Sequence, residues 1–246
     1  MSLKSHRWRK CLLGTTNDIY QLRTIKLSSP LLEDLPVVEI DRDLTRTFPL
    51  EMFYTNHIDK IRNVLLWYAW TNPSLPYCQC FSFLAFVMYG CFHQGDKRHA
   101  MIDTYYAIHK MILLIKPLLP ISANDTRPLE FAGILRSVIL LDIMKYDRQL
   151  YNRLRNSIVI KYVIFSGFSA FYLNWFDSAS GVTLLDYIIN EKSSVMFQRL
   201  LKFTVAFFLV QKPMFMGLDD DQCLELLHEK EMINFYSILW KAKSLD

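Results

Sequence analysis

Glycine is scarce, with seven in a chain of 246 residues. None follows Asn or Asp, so the dipeptides that make two-residue hairpin turns are missing. Long period-two alternation of apolar and polar residues is missing as well, and together these absences argue against a sheet protein. No Gly-x-Gly-x-x-Gly or phosphate-loop sequence occurs, which argues against a nucleotide held by this chain itself. An excess of one charge is also lacking. The formal net charge is +4 without a clustered basic stripe, too weak to imply nucleic acid as a partner. The five cysteines are an odd number with no framework spacing, so reduced thiols in a cytoplasmic protein are expected. No basic-then-apolar opening with a cleavage site is present, and no secretory leader is expected. Runs long enough to cross a bilayer are missing too. Phe81–Phe92 is short, Ser166, Ser169 and Asn174 interrupt Tyr162–Phe176, and Val205–Val210 is shorter still. A spanning helix needs about 20 predominantly apolar residues, so buried core helices are expected here.

What is present is apolar bulk. Hydrophobic residues make up 52% of the chain and aromatics 14%, enough for a deep core and too much for a disordered chain. Helical spacing recurs. Ile58, Ile61, Leu65 and Tyr68 fall on one face, as do Ile134, Val138, Leu141 and Met144. Leu224, Leu227, Met232, Tyr236 and Leu239 nearly do so, after Asp219–Asp221, whose carboxylates suit a helix start. Phe197, Leu200, Leu201, Val205 and Phe208 suit a helix apolar nearly all round. Pro30, Pro36, Pro49, Asn72-Pro73, Pro76, Pro117, Pro120, the polar Ser122–Arg127 stretch and Pro213–Leu218 break the pattern. No stretch has the length and polarity of an inter-domain linker. The expectation is an all-α chain of ten to twelve helices in one domain over 1–246. Its N-terminal lobe would span about 1–120 and its C-terminal helical lobe about 121–246.

Two segments carry most of the chemistry. The first is Ile40-Asp-Arg-Asp-Leu-Thr-Arg46-Thr47-Phe48-Pro49. Taken alone it is a charged turn with Arg46 paired to Asp43 three residues back. The second is Asn72-Pro73-Ser-Leu-Pro-Tyr77-Cys78-Gln79-Cys80, between an amphipathic and a very apolar helix. Taken alone it is a helix–helix loop with a buried tyrosine, Gln79 starting the next helix. In order and spacing the two together resemble the TBC family of GTPase-activating domains. Ile40, Asp43, Arg46 and Thr47 match that family's Ile-x-x-Asp-x-x-Arg-Thr. Asn72, Pro73, Tyr77 and Gln79 match its later Asn-Pro and Tyr-x-Gln. The Val64–Ala69 stretch between them fits the family's helix. Trp8 with Leu12-Leu13-Gly14, and Leu184-Leu185-Asp186 with the Met196-Phe197 helix, resemble its opening and later positions. Pro76 and Cys80 stand where the family usually has glycines, and the tryptophan usual before Asp186 is missing.

The resemblance implies a TBC-type helical fold and a Rab-type small GTPase as partner. Arg46 would be an arginine finger and Gln79 a glutamine finger, both supplied in trans. Asp43, Thr47, Tyr77, Asn72 and Pro73 would support them, with Pro49, Pro73 and Pro76 stiffening the loops. Mg²⁺ and GTP would belong to the GTPase, so this chain needs no cofactor and no metal, and no turnover of its own is expected. Vesicle trafficking is the implied setting, with membrane contact indirect, through the lipid-anchored GTPase. The other class these residues allow is a binding module that holds a GTPase or a larger complex without accelerating hydrolysis.

Other constellations read as ordinary structure. Cys78 and Cys80, with Cys91 and His93 nearest, lack the paired spacing of a zinc site. Nothing pairs a cysteine with a histidine as nucleophile and base. The six histidines are scattered. Asp41, Arg42 and Asp43 form a charge run of the solvated kind. Lys4, Arg7, Arg9 and Lys10 read as a solvated helix face, and Trp67 and Trp70 as packing groups.

Overall fold

A computed structural model describes residues 3–14, 36–48, 51–122, 124–229 and 233–245. Pro30, Pro49 and Met232 lie outside the described residues. The described chain is all helical, with no strand. The first half holds α1 (Leu3–Leu13), α2 (Val37–Arg46), α3 (Met52–Thr55), α4 (Ile58–Thr71), α5 (Cys80–Gly95) and α6 (Ala100–Ile115). The second holds α7 (Arg127–Tyr146), α8 (Arg148–Leu154), α9 (Val159–Tyr162), α10 (Ser178–Ile188) and α11 (Ser193–Val210). It ends with α12 (Lys212–Gly217), α13 (Asp220–His228) and α14 (Phe235–Ser244). More helices form than periodicity predicts because α3, α9 and α12 span only one or two turns, too short for a repeat to register.

The apolar run Phe81–Phe92 becomes the centre of the molecule. Every residue of α5 from Cys80 to Phe92 is buried, with α1, α2, α3, α4, α6 and α10 around it. The buried side chains form one continuous cluster from Trp8 to Ala242. Its two ends meet through Asp186, whose Oδ1 accepts from Trp8 Nε1 at 2.9 Å and from Arg7 Nη2 at 2.7 Å. The two outlying motif positions thus form one contact. Helix starts follow the capping rules: Asp147, Asp177, Asp219 and Asn234 each accept from the first turn of α8, α10, α13 and α14. Asp219 and Gln222 complete a capping box.

Several faces differ from expectation. In α4 the stripe is inward, with Ile61, Leu65 and Tyr68 buried. In α7 the expected stripe is outward: Ile134, Val138, Leu141 and Met144 are exposed, while Ala132, Leu135, Ile139 and Ile143 enter the core. The helix is apolar on both sides, so periodicity locates two faces and does not say which packs. The run from Leu224 to Leu239 is two helices, α13 and α14, and Tyr236 points to solvent. α11 is long and apolar enough to cross a bilayer by length and composition, although Gln198, Arg199 and Lys202 interrupt its run. It packs with α7, α10 and α14, and Leu200, Phe203 and Phe207 are fully buried. Arg9 is not solvated. It is buried with Asp103, donating from Nε at 2.5 Å, and also donates to Ser5 Oγ and the Phe92 carbonyl. Trp67 packs half-buried on the core, but Trp70 is 40% exposed.

Candidate functional site

The first motif is the helix α2 itself. Ile40 and Leu44 are its core side, and Asp41 clamps it to α4 by accepting from Arg62 Nε at 2.5 Å and Nη2 at 3.0 Å. Asp41 is thus tethered while half-exposed, Arg42 is exposed, and of this charge run Asp43 alone is buried. Asp43 is buried and pairs with the guanidinium of Arg46, which stands half-exposed at the last residue of the helix. A cation there also meets the negative end of the helix dipole. The chain then turns sharply, because Phe48 adopts φ 48°. A bulky residue in the left-handed region costs about 1–3 kcal/mol and needs a fixed environment. The Phe48 ring has one, stacked on Tyr54 at 5.6 Å and edge-on to Phe83 at 5.5 Å.

The second motif is the entrance to α5. Asn72 closes α4, donating from Nδ2 to the Tyr68 carbonyl at 3.0 Å, and Leu75 N donates to the Asn72 carbonyl. Pro73 and Pro76 lie exposed on this turn. The carbonyl of Cys78 accepts from Phe81 N at 2.9 Å and that of Gln79 from Ser82 N at 3.0 Å, which starts the helix. Gln79 holds the N-cap position in helical conformation, yet its side chain makes no capping bond. The carboxamide is left to the surface in front of it.

Two hydroxyls join the motifs underneath. Thr47 Oγ1 lies 2.7 Å from the Asp43 carbonyl and 2.8 Å from Ser82 Oγ. Ser82 Oγ in turn lies 2.8 Å from the Gln79 carbonyl. Two hydroxyl hydrogens serve three contacts, so two bonds form at a time and the proton arrangement can shift between the loops. Burial and the neighbouring Asp43 carboxylate push the Tyr77 phenol well above its usual range, so it stays protonated beside that carboxylate.

Arg46 and Gln79 line one open cavity of about 400 Å³, together with Cys78, Cys80 and Phe83. Asp43, Thr47 and Tyr77 support it from below and do not line it; Asn72 and Pro73 shape only the approach. The opposite wall comes from Phe165, Ser166, Ser169, Ala170 and Asn174. There α9 runs on into a π-turn, Val163–Gly167, and a 3₁₀ turn, Phe168–Ala170. Phe171 and Tyr172 then take left-handed backbone. A side chain at Gly167 would put Cβ 2.5 Å from the Tyr172 ring, so only glycine fits this coil. Asn174 Nδ2 holds the Ser166 carbonyl at 3.0 Å, while its buried Oδ1 has no partner. This wall was missed from sequence. Its one trace there is the three polar residues that interrupt the apolar run, Ser166, Ser169 and Asn174. Among the described residues no cluster of three or more His, Cys, Asp or Glu side chains is placed to hold a metal.

A family model described as the Rab-GTPase-TBC domain matches residues 7–216. Over 51 residues, 19% of this chain, the sequence is 47% identical to TBC1 domain family member 2B of Xenopus tropicalis, covering 5% of that protein. Over 150 residues, 56% of this chain, it is 25% identical to the GTPase-activating protein GYP3 of Saccharomyces cerevisiae, covering 22% of it. The chain thus matches well under a third of the length of either relative. The crystal structure of the Ypt/Rab-GAP domain of Gyp1p superposes with a TM-score of 0.71 at 14% identity, over 98% of this chain and 86% of that one. At that identity the likeness is one of fold.

Proposed function

This chain belongs to the Rab-GTPase-TBC domain family, and we propose that it accelerates GTP hydrolysis by a Rab-type small GTPase, inserting Arg46 and Gln79 in trans. The observation that carries the reading is the shared cavity: both side chains line one opening, from separate motifs tied together through Thr47 and Ser82.

Hydrolysis builds negative charge on the transferring phosphoryl group and on the bridging oxygen, and it needs an aligned water. Arg46 offers a planar cation able to grip two oxygens at once. Reaching the phosphate means leaving Asp43. That pair is half-exposed on the arginine side but its carboxylate is buried, so leaving it costs about 1–3 kcal/mol. An arginine finger contributes about 10³–10⁵ in rate, or about 4–7 kcal/mol, so transfer of the guanidinium is favourable. The Gln79 carboxamide can accept from the attacking water and donate to a phosphate oxygen together. The hydroxyl links hold the two groups in register, which is what positioning on this scale requires. Mg²⁺ and nucleotide come with the GTPase, and so does any contact with a membrane.

The test is single-turnover GTP hydrolysis across a panel of Rab-type GTPases, with wild type, Arg46→Ala and Gln79→Ala. Acceleration of one member, lost in both variants, is the expected result. A folded protein that binds a GTPase and accelerates none would establish the binding-module alternative, which Pro76 and Cys80 in the second loop favour.

A further inference from the structure

Cys78 and Cys80 flank Gln79, and their sulfurs lie 3.3 Å apart at the edge of the cavity. We propose that they form a peroxide-sensitive dithiol whose oxidation to an intraloop disulfide withdraws Gln79 and switches the site off. The inference deepens the proposed function, since it names a control on the same site.

The backbone brings the two residues within reach of the bond. With Gln79 at φ −52°, ψ −33°, the flanking Cα atoms are about 5.4 Å apart by helix geometry, inside the roughly 4.4–6.8 Å range of disulfides. The two thiols are unequal. Cys80 Sγ–H donates to Cys78 Sγ, which lowers the pKa of Cys78 and raises that of Cys80. Both line the open cavity, but Cys78 is half-buried whereas Cys80 is buried in the first turn of the core helix α5. Cys78 is thus the attacking sulfur and Cys80 the resolving one.

In the first step the Cys78 thiolate attacks a peroxide oxygen and the O–O bond breaks. Cys78 becomes a sulfenic acid, and the departing oxygen takes up a proton as water. In the second, Cys80 sulfur attacks Cys78 sulfur, the S–S bond forms and the S–O bond breaks. The hydroxide leaves as water with the Cys80 proton. Two electrons pass from the thiol pair to hydrogen peroxide, and two waters are released in all. A dithiol reductant returns both thiols by exchange. Closing the sulfurs from 3.3 Å to about 2.05 Å shuts a ring around the Gln79 backbone, and because Cys80 is buried in α5 the adjustment falls on the Cys78 side of the loop. Gln79 lies between them and moves with Cys78. A misplacement of about 1 Å can cost about 10²-fold in rate. Cys11, Cys91 and Cys223 are buried, and burial raises their pKa, so they serve as internal controls.

The experiment treats wild type, Cys78→Ser and Cys80→Ser with hydrogen peroxide and reads two things. Peptide mapping without reductant is expected to find a two-hydrogen loss confined to the peptide holding Cys78 and Cys80 in wild type, and a trappable sulfenic acid at Cys78 in Cys80→Ser. GTPase stimulation, each variant compared with its own untreated rate, is expected to fall at least about tenfold in wild type only and to return with dithiothreitol. A map without the Cys78–Cys80 bond overturns the proposal, as does a bond that leaves stimulation unchanged. The map does not depend on any GTPase. An untreated protein that stimulates none would therefore sink the proposed function alone.

Discussion

The molecule contains two arginine–aspartate pairs built for opposite ends. In Arg9–Asp103 both side chains are nearly inaccessible, 3% and 2% exposed, and Arg9 makes further bonds to Ser5 and Phe92. In Arg46–Asp43 the carboxylate is equally buried at 4%, but the guanidinium is 50% exposed. The first pair locks α1 to the central helix and to α6. The second holds its carboxylate in the core and its guanidinium at the surface, the arrangement that the proposed function uses as a latch. The same two functional groups give a rivet or a latch according to which of them reaches water.

The sharpest way to break this comparison is Arg46→Ala. Stimulated hydrolysis should fall about 10³–10⁵-fold in a single-turnover assay. Unfolding free energy should fall by about 1–3 kcal/mol, less than for the fully buried pair, because water reaches the vacated side and Arg42 stands 3.9 Å from the same carboxylate oxygen. A large stability loss would make Arg46 a second rivet. The next effect is the converse. Arg9→Ala removes the guanidinium from a buried carboxylate and should destabilise the fold by about 3–5 kcal/mol in urea titrations. Protein that remains folded should still stimulate hydrolysis, and a catalytic defect at full foldedness would contradict the division.

A smaller effect tests what steadies the latch. Ser82→Ala cuts the hydroxyl path between Thr47 and the Gln79 carbonyl and should cost about 0.5–1.5 kcal/mol of stability, since both keep another partner. Its rate should fall while GTPase affinity holds, and equal losses in both would point to general loosening. The smallest concerns Cys78. Its alkylation rate should rise with pH around a midpoint below the roughly 8.5 of an ordinary thiol, since a lowered pKa means thiolate at lower pH. Cys80→Ala removes the hydrogen-bond donor and should move that midpoint upward. An unmoved midpoint would assign the shift elsewhere.

The latch was legible in the sequence because everything it needs is local. Asp43 and Arg46 share one helical turn, so spacing alone pairs them, whereas bringing Arg46 together with Gln79 from the other loop was implied only by the resemblance to the TBC family. The rivet was not legible. Arg9 looks like any charge on a terminal helix, and its partner lies 94 residues away. The far wall of the cavity escaped for a different reason. Residues 163–172 leave α-helical geometry for a π-turn, a 3₁₀ turn and two left-handed residues, where a 3.6-residue period carries no information. On α7 the period was correct and the direction reversed, because a helix apolar on both sides does not tell its neighbours from solvent. The all-helical class survived all of this, since it rests on many stripes and on the dearth of glycine rather than on any one face.

The bond from Trp8 and Arg7 to Asp186 also sets a clock. The ribosome makes α1 well before its partner, and the Trp8 indole cannot meet the Asp186 carboxylate until 178 more residues have been added. At about 5–20 residues per second that is a wait of about 10–40 s. The apolar side of α1 can seat on α5 and α6 much sooner, so what waits for α10 is the polar fastening of Arg7 and Trp8. The fastening of α1 is in this respect among the last contacts of the fold to be finished.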